Sequence, residues 1–228
     1  MNRGWPTAAA PLPCRAFSSG SKTIADTAYL DPARIADALA AGRLVVGWRA
    51  DGASGAARRL LADLLAPQGW PGDLAHDGLG APVSPWLAER GVAVSLSSSG
   101  GMAACALLKD GWVGVDVEAV EAGVDMVGVA DDRFDPACAA WIEGASADER
   151  PDRFFRSWTL LEAALKALGT GFLVEPAGLK LLPSGLAGGE PPGMAWSVAQ
   201  PDCGPGWRLS AVALSAARPA LMAGPVID

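Results

Sequence analysis

The chain has 228 residues, 50% hydrophobic and 19% charged, and its 25 acidic against 18 basic side chains leave a net charge of −7 at pH 7. That is ample apolar material for one large domain or two small ones, while the negative balance argues against nucleic acid, whose phosphate backbone is met by a basic surface. No apolar run reaches the ~18 residues of a membrane span, and Pro6, Pro11 and Pro13 interrupt any apolar signal-peptide core, so a cytoplasmic chain without a membrane partner is expected.

In chain order, the first thirty residues are rich in Ala, Pro, Ser and Gly and suit a flexible tail. Asp31-Pro32 opens a helix, with Asp as N-cap and Pro at the first helical position, that should stop near Gly42. Leu44 to Trp48 reads as a strand, and Arg58 to Ala66, with leucines at 60, 61, 64 and 65, as an amphipathic helix. The Gly- and Pro-rich stretch from Pro67 to Pro85 reads as a loop and Val92 to Leu96 as a strand. Gly100-Gly101 opens a segment through Ala103 to Leu108, and Lys109-Asp110-Gly111 reads as the turn of a hairpin between that segment and a strand ending at Glu118. Residues 134–143 and 151–168 read as helices. Strands follow at Leu179 to Leu182, Met194 to Val198 and Arg208 to Leu214, with Gly185 to Gly193 as a turn. Helices and antiparallel hairpins in this order predict an α+β fold rather than a doubly wound one.

Two acidic motifs carry the chemistry. In Gly114-Val115-Asp116-Val117-Glu118 the valines alternate with two carboxylates, which a strand of period two turns to one face. In Trp158-Thr159-Leu160-Leu161-Glu162-Ala163-Ala164-Leu165-Lys166, Trp158, Leu161 and Leu165 share a helical face while Glu162 and Lys166, four apart, are neighbours on another. A helix packed beside the strand makes Glu162 the third member of a trio with Asp116 and Glu118. Hard oxygen ligands of this kind suit Mg²⁺, and Lys166 would meet a phosphate oxygen as a point charge. Taken singly, the first motif also reads as a solvated strand end and the second as a surface ion pair worth a few tenths of a kcal/mol. The apolar run into Glu118, and the glycines of Gly169-Thr170-Gly171-Phe172 that would let a bulky ligand approach, favour a site.

With Phe154-Phe155-Arg156-Ser157 leading into the second motif, these segments resemble the 4′-phosphopantetheinyl transferase superfamily, in its larger Sfp-type branch. Ser95-Leu96-Ser97-Ser98-Ser99-Gly100, Gly80-Ala81-Pro82 and the closing strand Trp207-Arg208-Leu209-Ser210-Ala211-Val212-Ala213 extend the likeness to roughly residues 55–215. The resemblance implies two pseudo-twofold-related halves, 31–113 and 114–228, each a helix on a small antiparallel sheet, with a cofactor cleft between them. It implies coenzyme A as substrate, Mg²⁺ as cofactor, an acyl or peptidyl carrier protein as partner and a monomer. Asp116, Glu118 and Glu162 match the metal ligands, Asp116, Glu162 and Lys166 the catalytic groups, and Ser97, Ser98, Ser99 and Lys166 the cofactor contacts. Either Glu162 or a metal-bound water would accept the serine proton.

The chain also departs from the family pattern. Ser98 stands for a phosphate-contacting histidine, Leu161 for a lysine, Ala81 for the basic residue of Gly-Lys/Arg-Pro, and Cys138 for a glutamate. A charge-assisted contact is worth about 1.5–3 kcal/mol, so Arg58, Arg59 or Arg90 would have to supply the lost charge. A homologue that binds coenzyme A or a carrier protein without transfer, or one redirected to another phosphate-bearing substrate, therefore stays open. Arg150, Arg153 and Arg156 are candidates for meeting an acidic carrier protein, or else solubilise a helix start. Other motifs carry little. The serine cluster lacks Gly-x-Ser-x-Gly, the single histidine, His76, sits in a loop, Ser97 to Gly101 lacks the end of a P-loop, and nine tryptophans are scattered singly. Cys14, Cys105, Cys138 and Cys203, far apart and without a Cys-x-x-Cys pair, suit free thiols.

Overall fold

The computed structural model describes residues 15–16, 29–170 and 178–227. The tail expected over residues 1–30 falls almost wholly outside them, as do Cys14, Gly171 and Phe172. After β1 (Arg15–Ala16), Asp31 caps a short 3₁₀ turn over Pro32–Arg34 that continues into α1 (Ile35–Ala40). Next come β2 (Leu44–Ala50), α2 (Ala56–Leu65), β3 (Ala75–His76), β4 (Pro82–Val83), α3 (Pro85–Glu89), β5 (Val92–Ser99), β6 (Met102–Lys109) and β7 (Trp112–Ala119). Helices α4 (Met126–Arg133), α5 (Pro136–Glu143) and α6 (Arg150–Leu168) precede β8 (Lys180–Leu182), β9 (Gly185–Ala187), β10 (Ala195–Ala199), β11 (Trp207–Ser215) and β12 (Leu221–Pro225). Among the described residues no helix is long and apolar enough to cross a membrane.

Two four-stranded sheets form, in the orders β12-β2-β6-β5 and β1-β10-β11-β7, antiparallel except for the parallel outer pairs β12–β2 and β1–β10. Each contains the same unit. A first strand (β2 or β7) leads through helices to a hairpin (β5–β6 or β10–β11) whose second strand inserts between the other two. The α+β reading with two similar halves is therefore what the chain adopts.

Alternation along the strands builds the layers. In β2, Val45 packs with Leu60, Leu61 and Leu64 of α2, while Leu44, Val46 and Trp48 face the other sheet. In β7, Val113, Val115 and Val117 join that same inter-sheet core. Behind the second sheet, α4, α5 and α6 close a third core through Phe134, Cys138, Phe154, Ala163 and Ala164 against Trp196, Val198 and Val212. The order is helices, sheet, sheet, helices, with an apolar cluster between the sheets.

Several local expectations change. The hairpin read at Lys109-Asp110-Gly111 is a turn, with Asp110 at φ 56, but β6 and β7 do not pair. Both edges of β6 are taken, by β2 and β5, so the chain crosses instead to the second sheet. The tight hairpin lies one strand earlier: Gly100 and Gly101, at φ 54 and 83, join Ser99 to its partner Met102, and positive φ at both central residues is what a two-residue turn of this hand requires. Within the stretch read as a loop, β3 and β4 form a small ribbon, and α3 starts at Pro85 behind a Ser84 cap. The helix expected from 134 starts at Pro136 because Asp135 caps it, and a separate helix, α4, precedes it. Gly185 opens strand β9, paired with β8, rather than a turn.

Gly114 sets how closely α6 lies on β7. A Cβ there would fall 1.8 Å from the Ala163 carbonyl oxygen, a backbone atom that cannot turn aside. At Gly47 an added Cβ would meet the side-chain ends of Leu30 and Val226 at 3.1 Å. Gly114→Ala should thus lower the urea midpoint by the equivalent of about 3 kcal/mol or more and Gly47→Ala by about 1–3 kcal/mol; equal losses at the two sites would contradict the backbone contact.

Candidate active site

Because Gly114, Asp116 and Glu118 alternate with the core-facing valines, they share the face of β7 that α6 covers, and the glycine lets the helix sit directly on that face. Asp116 is 1% exposed. Its Oδ1 accepts hydrogen bonds from Lys166 Nζ at 2.6 Å and from Ser97 Oγ at 2.8 Å, whereas its Oδ2 is buried without a partner. Lys166 also donates to Ser97 Oγ at 3.2 Å and lies 3.9 Å from Glu162 Oε2, one helical turn back. Glu118 Oε2 accepts from Ser99 Oγ at 2.6 Å.

The serines form the seam between the sheets. β5 and β7 are the facing edge strands, and in place of a backbone ladder the hydroxyls of alternate residues reach across. Ser95 Oγ accepts from Val115 N at 3.0 Å, Ser97 holds Asp116, and Ser99 holds Glu118 while accepting from Ala119 N at 3.3 Å. Ser95 was not among the residues singled out from sequence, although the period-two spacing of the three serines signals it. Ser98, grouped with Ser97 and Ser99 as a cofactor contact, has the opposite parity, pairs with Ala103 and is exposed on the other face of β5.

Arg58 and Arg59 are held away from this cluster. Arg58 donates to the Gly72 carbonyl at 3.1 Å, and Arg59 to Asp51 at 2.8 Å and the Ser54 carbonyl at 2.6 Å, so both brace loops beside α2. Arg90 stacks on Trp86 with its guanidinium 3.8 Å from the ring centroid. At the start of α6, Arg150 donates to the carbonyls of Glu143 and Ala145, Arg153 to that of Trp141, and Arg156 pairs with Asp152. Leu161 packs on the third core and Cys138 is fully buried in it, with its thiol 3.6 Å from Ser157 Oγ.

A cleft of about 490 Å³ opens beside Lys166. Pro82, Leu87 and Val94 line it from the side of β4, α3 and β5, and Trp112, Val113 and Lys166 from β7 and α6. Among its described lining residues Lys166 is the one cation.

The carboxylates strain the local electrostatics. Burial, then the neighbouring Asp116, pushes Glu162 up to about 7, against the pull of Lys166 and a hydrogen bond involving Trp158. Burial also raises Glu118, although the Ser99 hydroxyl opposes it. Among the described residues no three His, Cys, Asp or Glu side chains stand as a ready-made metal site. The donor set nonetheless fits a hard cation: three carboxylates face one ammonium, and Asp116 keeps an unused buried oxygen.

Residues 112–187, from the start of β7 to the end of β9, match the model of the 4'-phosphopantetheinyl transferase superfamily. The matched stretch holds Asp116, Glu118, Glu162 and Lys166 together. Over 144 residues the chain is also 29% identical to the 4'-phosphopantetheinyl transferase HetI of Nostoc sp. (strain PCC 7120 / SAG 25.82 / UTEX 2576), an alignment covering 57% of this chain and 60% of that protein. The chain thus spans about three fifths of the length of this curated relative.

The raised Glu162 makes stability pH-dependent in a definite direction. Folded, it holds its proton to about 7 rather than 4.5, so its contribution is fully present below pH 4.5 and lost as pH rises through 7. Glu118 acts in the same direction. Asp152 does not interfere: burial raises it, the Arg208 hydrogen bond and Arg156 outweigh that, and its window lies below 3.8. In metal-free buffer Tm should fall between about pH 5 and pH 8, and Glu162→Gln should flatten the fall; a wild-type Tm rising across that range, or an unchanged slope in the variant, would contradict the assignment.

Proposed function

We propose that this protein moves the 4′-phosphopantetheine arm of coenzyme A onto a serine hydroxyl of an acyl or peptidyl carrier protein, as a holo-acyl-carrier-protein synthase does, releasing adenosine 3′,5′-bisphosphate. The observation that carries the reading is the buried carboxylate of Asp116, one oxygen unused, set beside Glu118 and Glu162 where a cleft opens beside Lys166. The proposal includes a monomer acting in the cytoplasm.

Asp116, Glu118 and Glu162 would hold Mg²⁺, which supplies charge neutralisation for a pyrophosphate and its leaving phosphate. Lys166, a third exposed and lining the cleft, is placed to turn its ammonium from Asp116 toward a phosphate oxygen. Glu162 would accept the serine proton as the hydroxyl oxygen attacks phosphorus and the bond to the departing nucleotide phosphate breaks.

A second reading is favoured by one feature, the single cation among the described cleft residues. Ser98, Leu161 and Ala81 add none. Such a cleft suits weak coenzyme A binding without transfer, or another phosphate-bearing substrate.

Intact-mass measurement separates the readings. A panel of apo carrier proteins incubated with the protein, coenzyme A and Mg²⁺ should gain one phosphopantetheine. Chelator should abolish the gain, and Asp116→Asn should lower the rate by about 10²-fold or more. No gain across the panel, alongside an active control enzyme, would contradict the transferase and favour the second reading.

A further inference from the structure

Along α6 toward its N-terminal end from the carboxylates lies a polar chain, buried at Thr159 and Ser210 and half-buried at Gln200, that the proposed chemistry does not use. Thr159 and Ser210 are both 0% exposed. The Thr159 hydroxyl lies 2.8 Å from Ser210 Oγ and 2.9 Å from the Phe155 carbonyl oxygen, and Gln200 Nε2 donates both to Ser210 Oγ and to the Arg156 carbonyl at 2.9 Å. Gln200 donates to Ser210 at one end and Thr159 to the Phe155 carbonyl at the other, while either hydroxyl can donate in the contact between Thr159 and Ser210. Every member is satisfied, and such a network is rigid because any shift leaves a buried group unpaired.

Its place in the fold is what gives it a consequence. Ser210 on β11 is the register partner of Asp116 on β7, so the two side chains share the α6-facing side of the sheet. Thr159 precedes Glu162 by three residues and so lies about one turn below it on α6. The rung Asp116, Ser210, Thr159, Glu162 therefore ties one carboxylate-bearing strand to the carboxylate-bearing helix. Lys166 on Asp116 and Asp152 on Arg208 hold the two ends of α6 to the sheet, and the Thr159–Ser210 contact is the hydroxyl link between them. Gly114 controls how near α6 comes to β7 but not where along the strand it stops.

We propose that Thr159, Ser210 and Gln200 are positioning residues that set the axial register of α6 and hence the spacing of Glu162 from Asp116 and Glu118. The inference rests on the proposed metal role of those carboxylates. Groups that hold ligand side chains in place are worth about 10–100-fold in metal affinity when removed, and the same range is expected here.

The test is calorimetric titration of the full chain with Mn²⁺ or Mg²⁺ in wild type, Thr159→Val, Thr159→Ser and Ser210→Ala, with Tm recorded for each. Thr159→Val keeps the side-chain shape and removes the hydroxyl. It should bind metal about tenfold or more weakly and lower kcat for transfer with the KM for coenzyme A nearly unchanged, while Thr159→Ser, which keeps the hydroxyl, stays within about threefold of wild type. Ser210→Ala should follow Thr159→Val and answers the question should the valine variant not fold. Wild-type metal affinity in both hydroxyl-deleted variants, whatever their Tm, would overturn the inference and leave the proposed function standing, as would a serine variant as weak as the valine. A wild-type protein that binds neither ion would overturn both.

Discussion

The rest of the structure is arranged around one buried contact, the Asp116 carboxylate against the Lys166 ammonium at 2.6 Å. A carboxylate taken out of water costs several kcal/mol unless its charge is met, and an unpaired buried oxygen such as Oδ2 costs about 1–3 kcal/mol more. The surrounding residues can be understood as what makes that arrangement tolerable. Gly114 admits α6 to van der Waals contact with β7, Lys166 arrives on that helix, and Ser97 reaches from the other sheet to share Oδ1. At the site itself the unused Oδ2 is the cost left uncompensated among the described residues.

Three apolar layers meet this cost. The inner core between the sheets is built from small and branched side chains, and the helices on either face close cores of their own. A site at the meeting edge of two such units gains rigidity from both. β5 and β7 would ordinarily expose unpaired edges, but the alternate serines of β5 close the seam and at the same time hold both strand carboxylates. One device thus joins the halves and orients the site.

What could be read beforehand was whatever depends on local pattern. The alternation in β7, the i,i+4 spacing of Glu162 and Lys166, and the Asp-Pro caps all follow from geometry within a few residues. Pairing partners were not legible in this way. The turn at Asp110 has hairpin chemistry, yet β6 is already flanked on both sides, and only the assembled sheet shows it. Arg58 and Arg59 were candidates to replace charge missing at the family's basic positions, and nearby carbonyls and Asp51 take their hydrogen bonds. Ser98 stands at the position of the family's phosphate-contacting histidine, and strand parity sends it to the other face. The buried rung through Thr159 and Ser210 joins residues fifty-one apart, a distance over which no spacing rule operates.

The account's central claim is that the three carboxylates of β7 and α6 share one cation. Crystals of the protein grown with Mn²⁺ and coenzyme A, measured for anomalous scattering at the manganese edge, test it most directly. The account predicts a single strong peak touched by Asp116, Glu118 and Glu162, with Lys166 turned to a phosphate oxygen. A peak elsewhere, or none, with coenzyme A bound and the Asp116–Lys166 pair intact, would contradict it.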